Sequence, residues 1–236
     1  TDAPAMGFEG DYYHAPITSS SYAPYNRIVA AVDNSGRGED EAAFTIVAEL
    51  HGMLFWLYLW AGKAGYEPAT LKTIADACVR FRVGRILLES NFGDGMFAAL
   101  LRPVLEKAWE EANRKRARGT DPGATELVEV KASNQMAKER RILALLEPVT
   151  QGHRLVVNRD VLQWDFESIK NKEGADTAHR FAWGYQFTHL TRDRDSLAHD
   201  DRLDALAIAV SDFADILGVD PELMAKRAIE ERDDEQ

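Results

Sequence analysis

Hydrophobic positions along the chain change their period several times, and each change marks an element. R-I-V-A-A-V-D, from Arg27, is a short apolar run that stops at the turn signal N-S-G-R-G, and it predicts a strand. Ala43 to Leu50 and Met53 to Trp60 are apolar and aromatic-rich, and His51-Gly52 between them fits a two-residue hairpin turn, so three strands in meander are expected. The period then becomes helical. Pro68 opens a stretch with Leu71, Ile74, Ala75, Cys78 and Val79 at three- and four-residue spacing, and a strand from Arg85 to Glu89 follows. A long helix is expected from about Gly95 to Lys115, then a loop at Gly119, Pro122 and Gly123, then a strand from Glu126 to Lys131. Ser133 can cap a helix that ends near Glu147, ahead of Pro148. A short strand from Arg154 to Val157 and a helix from Val161 to Ile169 come next, and the polar stretch from Lys170 to Ser196 is expected to be irregular. Asp200 to Leu217 is strongly periodic and predicts one helix.

Three antiparallel strands followed by alternating helices and strands imply a mixed β-sheet with helices on both faces. That order is the order of an α/β fold of the RNase H-like type. Residues 1–26, with Pro4, Pro16, Pro24 and the polar run Thr18 to Ser21, read as an extended lead-in, residues 27–217 as the domain, and residues 218–236 as an acidic helical tail.

Composition narrows the class. At 236 residues and 45% hydrophobic, the chain can bury the core of one large domain. Its longest apolar stretch, Met53 to Ala61, is far too short for a spanning helix, so no membrane is expected and the location implied is the host cell cytoplasm. The single cysteine, Cys78, excludes an internal disulfide and a cysteine metal cage. A formal charge of −11 argues at first against a nucleic-acid partner. The acids, however, gather in the tail and around the candidate site, while Arg114, Lys115, Arg116 and Arg118 form a basic run.

The candidate chemistry lies in carboxylates at element ends. Asp33 closes the first strand, Glu89 closes the strand of R-I-L-L-E-S-N-F-G-D-G, and Asp200, Asp201 and Asp204 open the last long helix. Crowded carboxylates repel unless cations enter, and hard oxygen ligands suit Mg²⁺ or Mn²⁺. Two such ions, roughly 3.5–4 Å apart, can activate a water and steady the leaving oxygen of a phosphodiester. Each acid also has a plainer explanation: a turn-forming Asp33, a paired Glu89, and helix-dipole partners at Asp200 and Asp201. On the last helix, Leu203, Leu206, Ala207, Val210, Ala214 and Leu217 form the expected buried stripe, with Asp200 and Asp204 on its flank and Asp201 pointing furthest out. Geometry alone does not choose among the three.

V-D-N-S-G-R-G-E-D-E, L-L-E-S-N-F-G-D-G-M-F and H-D-D-R-L-D-A-L-A-I-A, in that order, resemble the three nuclease motifs of the large subunits of tailed-phage terminases, especially the T7-like branch. The resemblance covers roughly Arg27 to Leu217. It implies a Mg²⁺- or Mn²⁺-dependent endonuclease that cuts concatemeric double-stranded DNA, with Asp33, Glu89 and Asp201 as metal ligands. The third motif is also similar to the end of RuvC-type resolvases, which adds Asp204 and leaves Asp200 as a neighbour. Implied partners of the full-length protein are an ATPase motor domain, a small terminase subunit and the portal. This chain contains no G-x-x-x-x-G-K-[ST] and opens on Thr1, so it is expected to be the isolated C-terminal nuclease domain.

Lys131, Lys138, Arg140 and Arg141, at a strand end and on the helix after it, are the expected DNA contacts, positioning the backbone without reading sequence. His199 beside Asp200 reads as a helix-flanking histidine, and Trp56 and Trp60 read as core. Two other readings remain open at this point: a junction resolvase or transposase-like nuclease on the same fold, and a non-catalytic docking module.

Overall fold

The computed structural model describes residues 3–4, 12–13, 23–34, 41–63, 65–89, 95–115, 122–130, 137–170, 172 and 175–218. Ala3–Pro4 (β1) and Tyr12–Tyr13 (β2) pair antiparallel as a separate two-stranded ribbon. Six further strands form one sheet: Arg27–Asp33 (β3), Ala42–Leu50 (β4), Met53–Gly62 (β5), Arg85–Glu89 (β6), Glu126–Val130 (β7) and Leu155–Val157 (β8). Their order is β7-β6-β3-β4-β5-β8. β3, β4 and β5 are the antiparallel meander, and β6, β7 and β8 add parallel to it. His51 and Gly52 both take positive φ, 53° and 76°, which is what a twisted two-residue hairpin turn requires.

Side-chain alternation sorts the sheet's two faces. Ala30 and Val32 of β3 join Pro68–Phe81 (α1) and Met96–Arg114 (α2) in one core, while Val29 and Ala31 join the other. That second core is built with Lys138–Gln151 (α3), Arg159–Lys170 (α4) and Asp201–Ser211 (α7). A bulge in β5 leaves Leu57 without a partner between the Ile46–Tyr58 and Val47–Trp56 pairs, which turns Leu57 and Tyr58 toward the same core.

Three segments differ from expectation. α3 runs through Pro148 to Gln151, because the proline forfeits one N–H while Ile142, Leu146 and Val149 stay buried and the Thr150 hydroxyl donates to the Leu146 carbonyl. The stretch expected to be irregular contains Ala175–Ala178 (α5), a 3₁₀ turn at His179–Phe181 and Trp183–His189 (α6), held by buried Gln186 rather than by an apolar stripe. The last helix is interrupted: α7 stops at Ser211 and Ala214–Leu217 (α8) restarts after it. The Ser133 cap and the acidic tail lie outside the described residues.

Cys78 is fully enclosed in α1, and burial pushes its thiol up to about 12. At pH 8 it is therefore a neutral thiol without access. Native protein is expected to leave a thiol reagent such as DTNB unreacted and to react stoichiometrically in denaturant; rapid labelling of the native chain would contradict this packing.

Candidate metal centre

β3 and β6 are parallel neighbours with Val32 opposite Leu88, so the last residues of the two strands, Asp33 and Glu89, lie side by side at the sheet's C-terminal rim. A carboxylate there is anchored by a buried strand behind it. Asp33 is buried and Glu89 half-buried.

The third acid comes from α7, which packs across β3 and β4 and also meets α3 and α6. It is covered all round, with every residue from Asp201 to Val210 buried. Asp201 therefore does not point outward as the one-sided stripe implied. Its Oδ2 accepts the Glu41 backbone N–H at 3.2 Å. Asp204, at 0% exposure, faces the rim, and ligand atoms of Asp33, Glu89 and Asp204 all lie within 4.8 Å of one another. Among the described residues this is the acid group that could hold a metal, and Asp201 is not part of it.

Two cations from the first turn of α3 fill the space between these acids. The Lys138 ammonium lies 3.5 Å from Asp33 Oδ2, 2.9 Å from Asp200 Oδ1 and 3.1 Å from Asp204 Oδ2. Arg141, three residues on, donates from Nη2 to both Asp204 oxygens at 2.9 and 2.8 Å and from Nη1 to Glu89 Oε1 at 3.2 Å. Burial raises Asp33 well above the ordinary carboxylate range; Lys138 opposes this, while Asp204, Asp201 and Glu89 add to it. Burial likewise raises Asp200. It works against the Lys138 ammonium too, but Asp33, Asp204 and Asp200 outweigh it, so the lysine stays charged.

Of the four expected DNA contacts, Lys138 and Arg141 thus turn into the acid cluster, Arg140 is exposed on the flank of α3, and Lys131 lies outside the described residues. His199 stacks on Phe181 with ring centroids 3.7 Å apart.

The sequence reading gave no role to the groups that hold α7. Gln186 Oε1 accepts the Leu203 N–H at 3.0 Å, satisfying a donor in the first turn of α7. Arg202, at 0% exposure, donates from Nε to Glu41 at 3.0 Å and from Nη1 to Asp165 at 2.6 Å. Lys172 also pairs with Glu41. Glu41 and Arg202 stood inside the quoted motifs, but their partnership across 161 positions leaves no trace in local periodicity.

A mixed sheet with a leading three-stranded meander, helices on both faces and acids gathered at one rim defines the RNase H-like class. Residues 32–155 match the family described as "Terminase Bacteriophage T7, Ribonuclease H-like domain", and the chain belongs to that family. The large terminase subunit of Enterobacteria phage T3 is 33% identical over 211 residues, which are 89% of this chain and 33% of that protein. The chain thus spans about a third of the length of this relative. In fold it is similar to a human cytomegalovirus terminase nuclease domain, Mn-soaked and inhibitor-bound, with a TM-score of 0.53 at 9% identity over 82% of this chain and 86% of that one.

Proposed function

We propose that the chain is the metal-dependent endonuclease domain of a viral DNA-packaging terminase and that it hydrolyses phosphodiester bonds of concatemeric double-stranded DNA with weak sequence preference. The observation that carries this is the convergence of Asp33, Glu89 and Asp204 at the sheet rim. The donor set fits a hard divalent cation. It consists of carboxylate oxygens, and their 4.8 Å spread is close to the ~4.2 Å between oxygens on opposite sides of a Mg²⁺ ion. Family membership and the Mn-soaked nuclease domain with the same fold point the same way.

When bound, Mg²⁺ or Mn²⁺ supplies Lewis-acid stabilisation of phosphate charge and lowers the pKa of an attacking water. The chain's own residues prepare the site. Asp33 and Glu89 are fixed by adjacent strands, Asp204 by a helix whose first turn is tied to Gln186 and Glu41. Arg141 grips both Asp204 oxygens and so sets the direction of that carboxylate toward Glu89. Arg140, exposed on α3 next to Arg141, is the side chain proposed to contact DNA phosphates. In the longer protein, the motor domain, small subunit and portal are the proposed partners, acting in the host cytoplasm. No described helix is long and apolar enough to cross a membrane.

Supercoiled-plasmid cleavage tests the reading. Nicked and linear products are expected with Mn²⁺ or Mg²⁺ and none with chelator. A strong preference for four-way junctions over linear duplex would instead mark a resolvase, and absence of both cutting and Mn²⁺ binding would leave a docking module.

A further inference from the structure

We infer that Lys63 and Lys172 form a phosphate-binding subsite beside the acid cluster, which grips the backbone of a DNA strand a short way from the bond to be cut. This rests on the reading of DNA as the substrate.

The sheet sets the position. β5 is antiparallel to β4, and β4 to β3, so β5 ends at the same rim as β3. Asp33, Ala43 and Ala61 form one row across these three strands, and with neighbouring strands ~4.8 Å apart Ala61 stands ~10 Å from Asp33. A cavity of about 370 Å³ opens there, lined by Glu41, Ala61, Gly62, Lys63, Lys172 and Phe181. One DNA strand carries a phosphate per ~3.4 Å of helix axis, so the cavity lies within about three nucleotides of the acids.

The lining is cationic. It presents two ammonium groups and one carboxylate, Glu41, and that carboxylate is shared: Lys172 meets Oε1 and the buried Arg202 guanidinium meets Oε2. Arg202 draws on Asp165 as well, and Asp201, bonded to the Glu41 backbone N–H, is not part of the lining. Burial works against the charge on Lys172, and Arg202 and exposed Lys63 add to that effect while Glu41 opposes it. Crowded ammonium groups favour an anion between them, as crowded carboxylates favour a cation.

One of the two lysines is also held ready. Lys172 Nζ lies 3.5 Å from the centroid of the Phe181 ring, and the His199 ring stacks at 3.7 Å from the same centroid. Two groups that close must cover opposite faces, so Phe181 is clamped between them. Of the three ammonium donors, Glu41 takes one and the ring covers a second direction, which leaves a donor for a ligand in the cavity. A side chain fixed in this way loses little freedom when a phosphate arrives.

The test measures binding of a fluorescein-labelled DNA duplex to the whole chain by anisotropy, without metal and over a range of low salt concentrations. Lys63→Gln and Lys172→Gln are each expected to make the slope of log affinity against log salt shallower by about 0.9, and the double variant by about 1.8. Lys63→Arg should restore the wild-type slope, and Lys72→Gln, on α1 against the other sheet face, should leave it unchanged. In Mn²⁺-dependent plasmid cleavage, Lys63→Gln should raise KM at unchanged kcat. Thermal melts confirm folding; should Lys172→Gln not fold, Lys63→Gln and Lys63→Glu decide alone. An unchanged slope in folded Lys63→Gln, or an equal change in Lys72→Gln, would overturn the subsite while leaving the nuclease reading intact. Because binding is read without metal, absence of cutting by a wild type that shows the expected slopes would overturn the nuclease reading alone, and absence of DNA binding by wild type would overturn both.

Discussion

Asp204→Asn is expected to abolish Mn²⁺-dependent plasmid cleavage, by on the order of 10³-fold or more, while Asp201→Asn loses only about 10- to 100-fold. Asp204 belongs to the group whose ligand atoms converge with those of Asp33 and Glu89, and a metal's contribution of several kcal/mol to transition-state charge translates into such a factor. Asp201 lies outside that group. Its carboxylate is occupied by the Glu41 N–H, a bond that the amide oxygen of Asn can still accept, so its loss should resemble that of a supporting partner. Asp33→Asn should match Asp204→Asn.

The same variants should separate chemistry from stability. Neutralising one carboxylate among several crowded together relieves repulsion, so the melting temperature of Asp33→Asn should hold or rise in the absence of metal even as cleavage disappears. Equal losses of activity at Asp201 and Asp204 would show that the helix turns differently at the rim and that the ligand implied by the motif resemblance is the right one.

The legibility of this site in the sequence followed the physics of each element. Asp33 and Glu89 end short apolar runs, and a strand's end is visible where the run stops, so their placement at one rim needed only the parallel pairing of β3 and β6. The choice between Asp201 and Asp204 was not legible. Helical periodicity distinguishes faces when one face meets water, and α7 is covered by the sheet, α3 and α6 together. Lys138 and Arg141 were noticed for their charge and assigned to DNA, because local sequence says that a cation exists and not which anions it will meet. α6 escaped notice for a related reason: its buried anchor is a glutamine satisfied by backbone groups of Phe181 and Leu203, a pairing that reads as polar loop until the fold is assembled. Pro148 misled differently. Its missing N–H costs the helix one bond, and burial of Val149 beyond it outweighs that loss.

Arg202→Met is expected to be the most destabilising single change near the site. The guanidinium is fully buried between Glu41 and Asp165, adds a bond to the Ser168 hydroxyl at 2.9 Å, and lies 5.2 Å over the Trp164 ring. Its removal leaves two buried carboxylates facing one another's field, with Lys172 near Glu41 and the Trp183 N–H on Asp165 as partial compensation. Breaking a buried ion pair in this way costs about 3–5 kcal/mol, which for a domain of this size lowers the melting temperature by roughly 10 °C. Arg202→Lys should recover little, since an ammonium cannot span both carboxylates as the fork does. The triple variant Arg202→Met, Glu41→Gln, Asp165→Asn should recover much of the loss, because the penalty comes from unpaired charge rather than from missing volume. Thermal unfolding followed by circular dichroism decides it: a shift below about 2 °C for Arg202→Met, or no rescue in the triple variant, would show that the network does not hold α7 in place. Since Glu41 also donates its backbone N–H to Asp201, a destabilised network should loosen the rim as well, and Mn²⁺ affinity should fall in Arg202→Met although that residue touches none of the three converging acids.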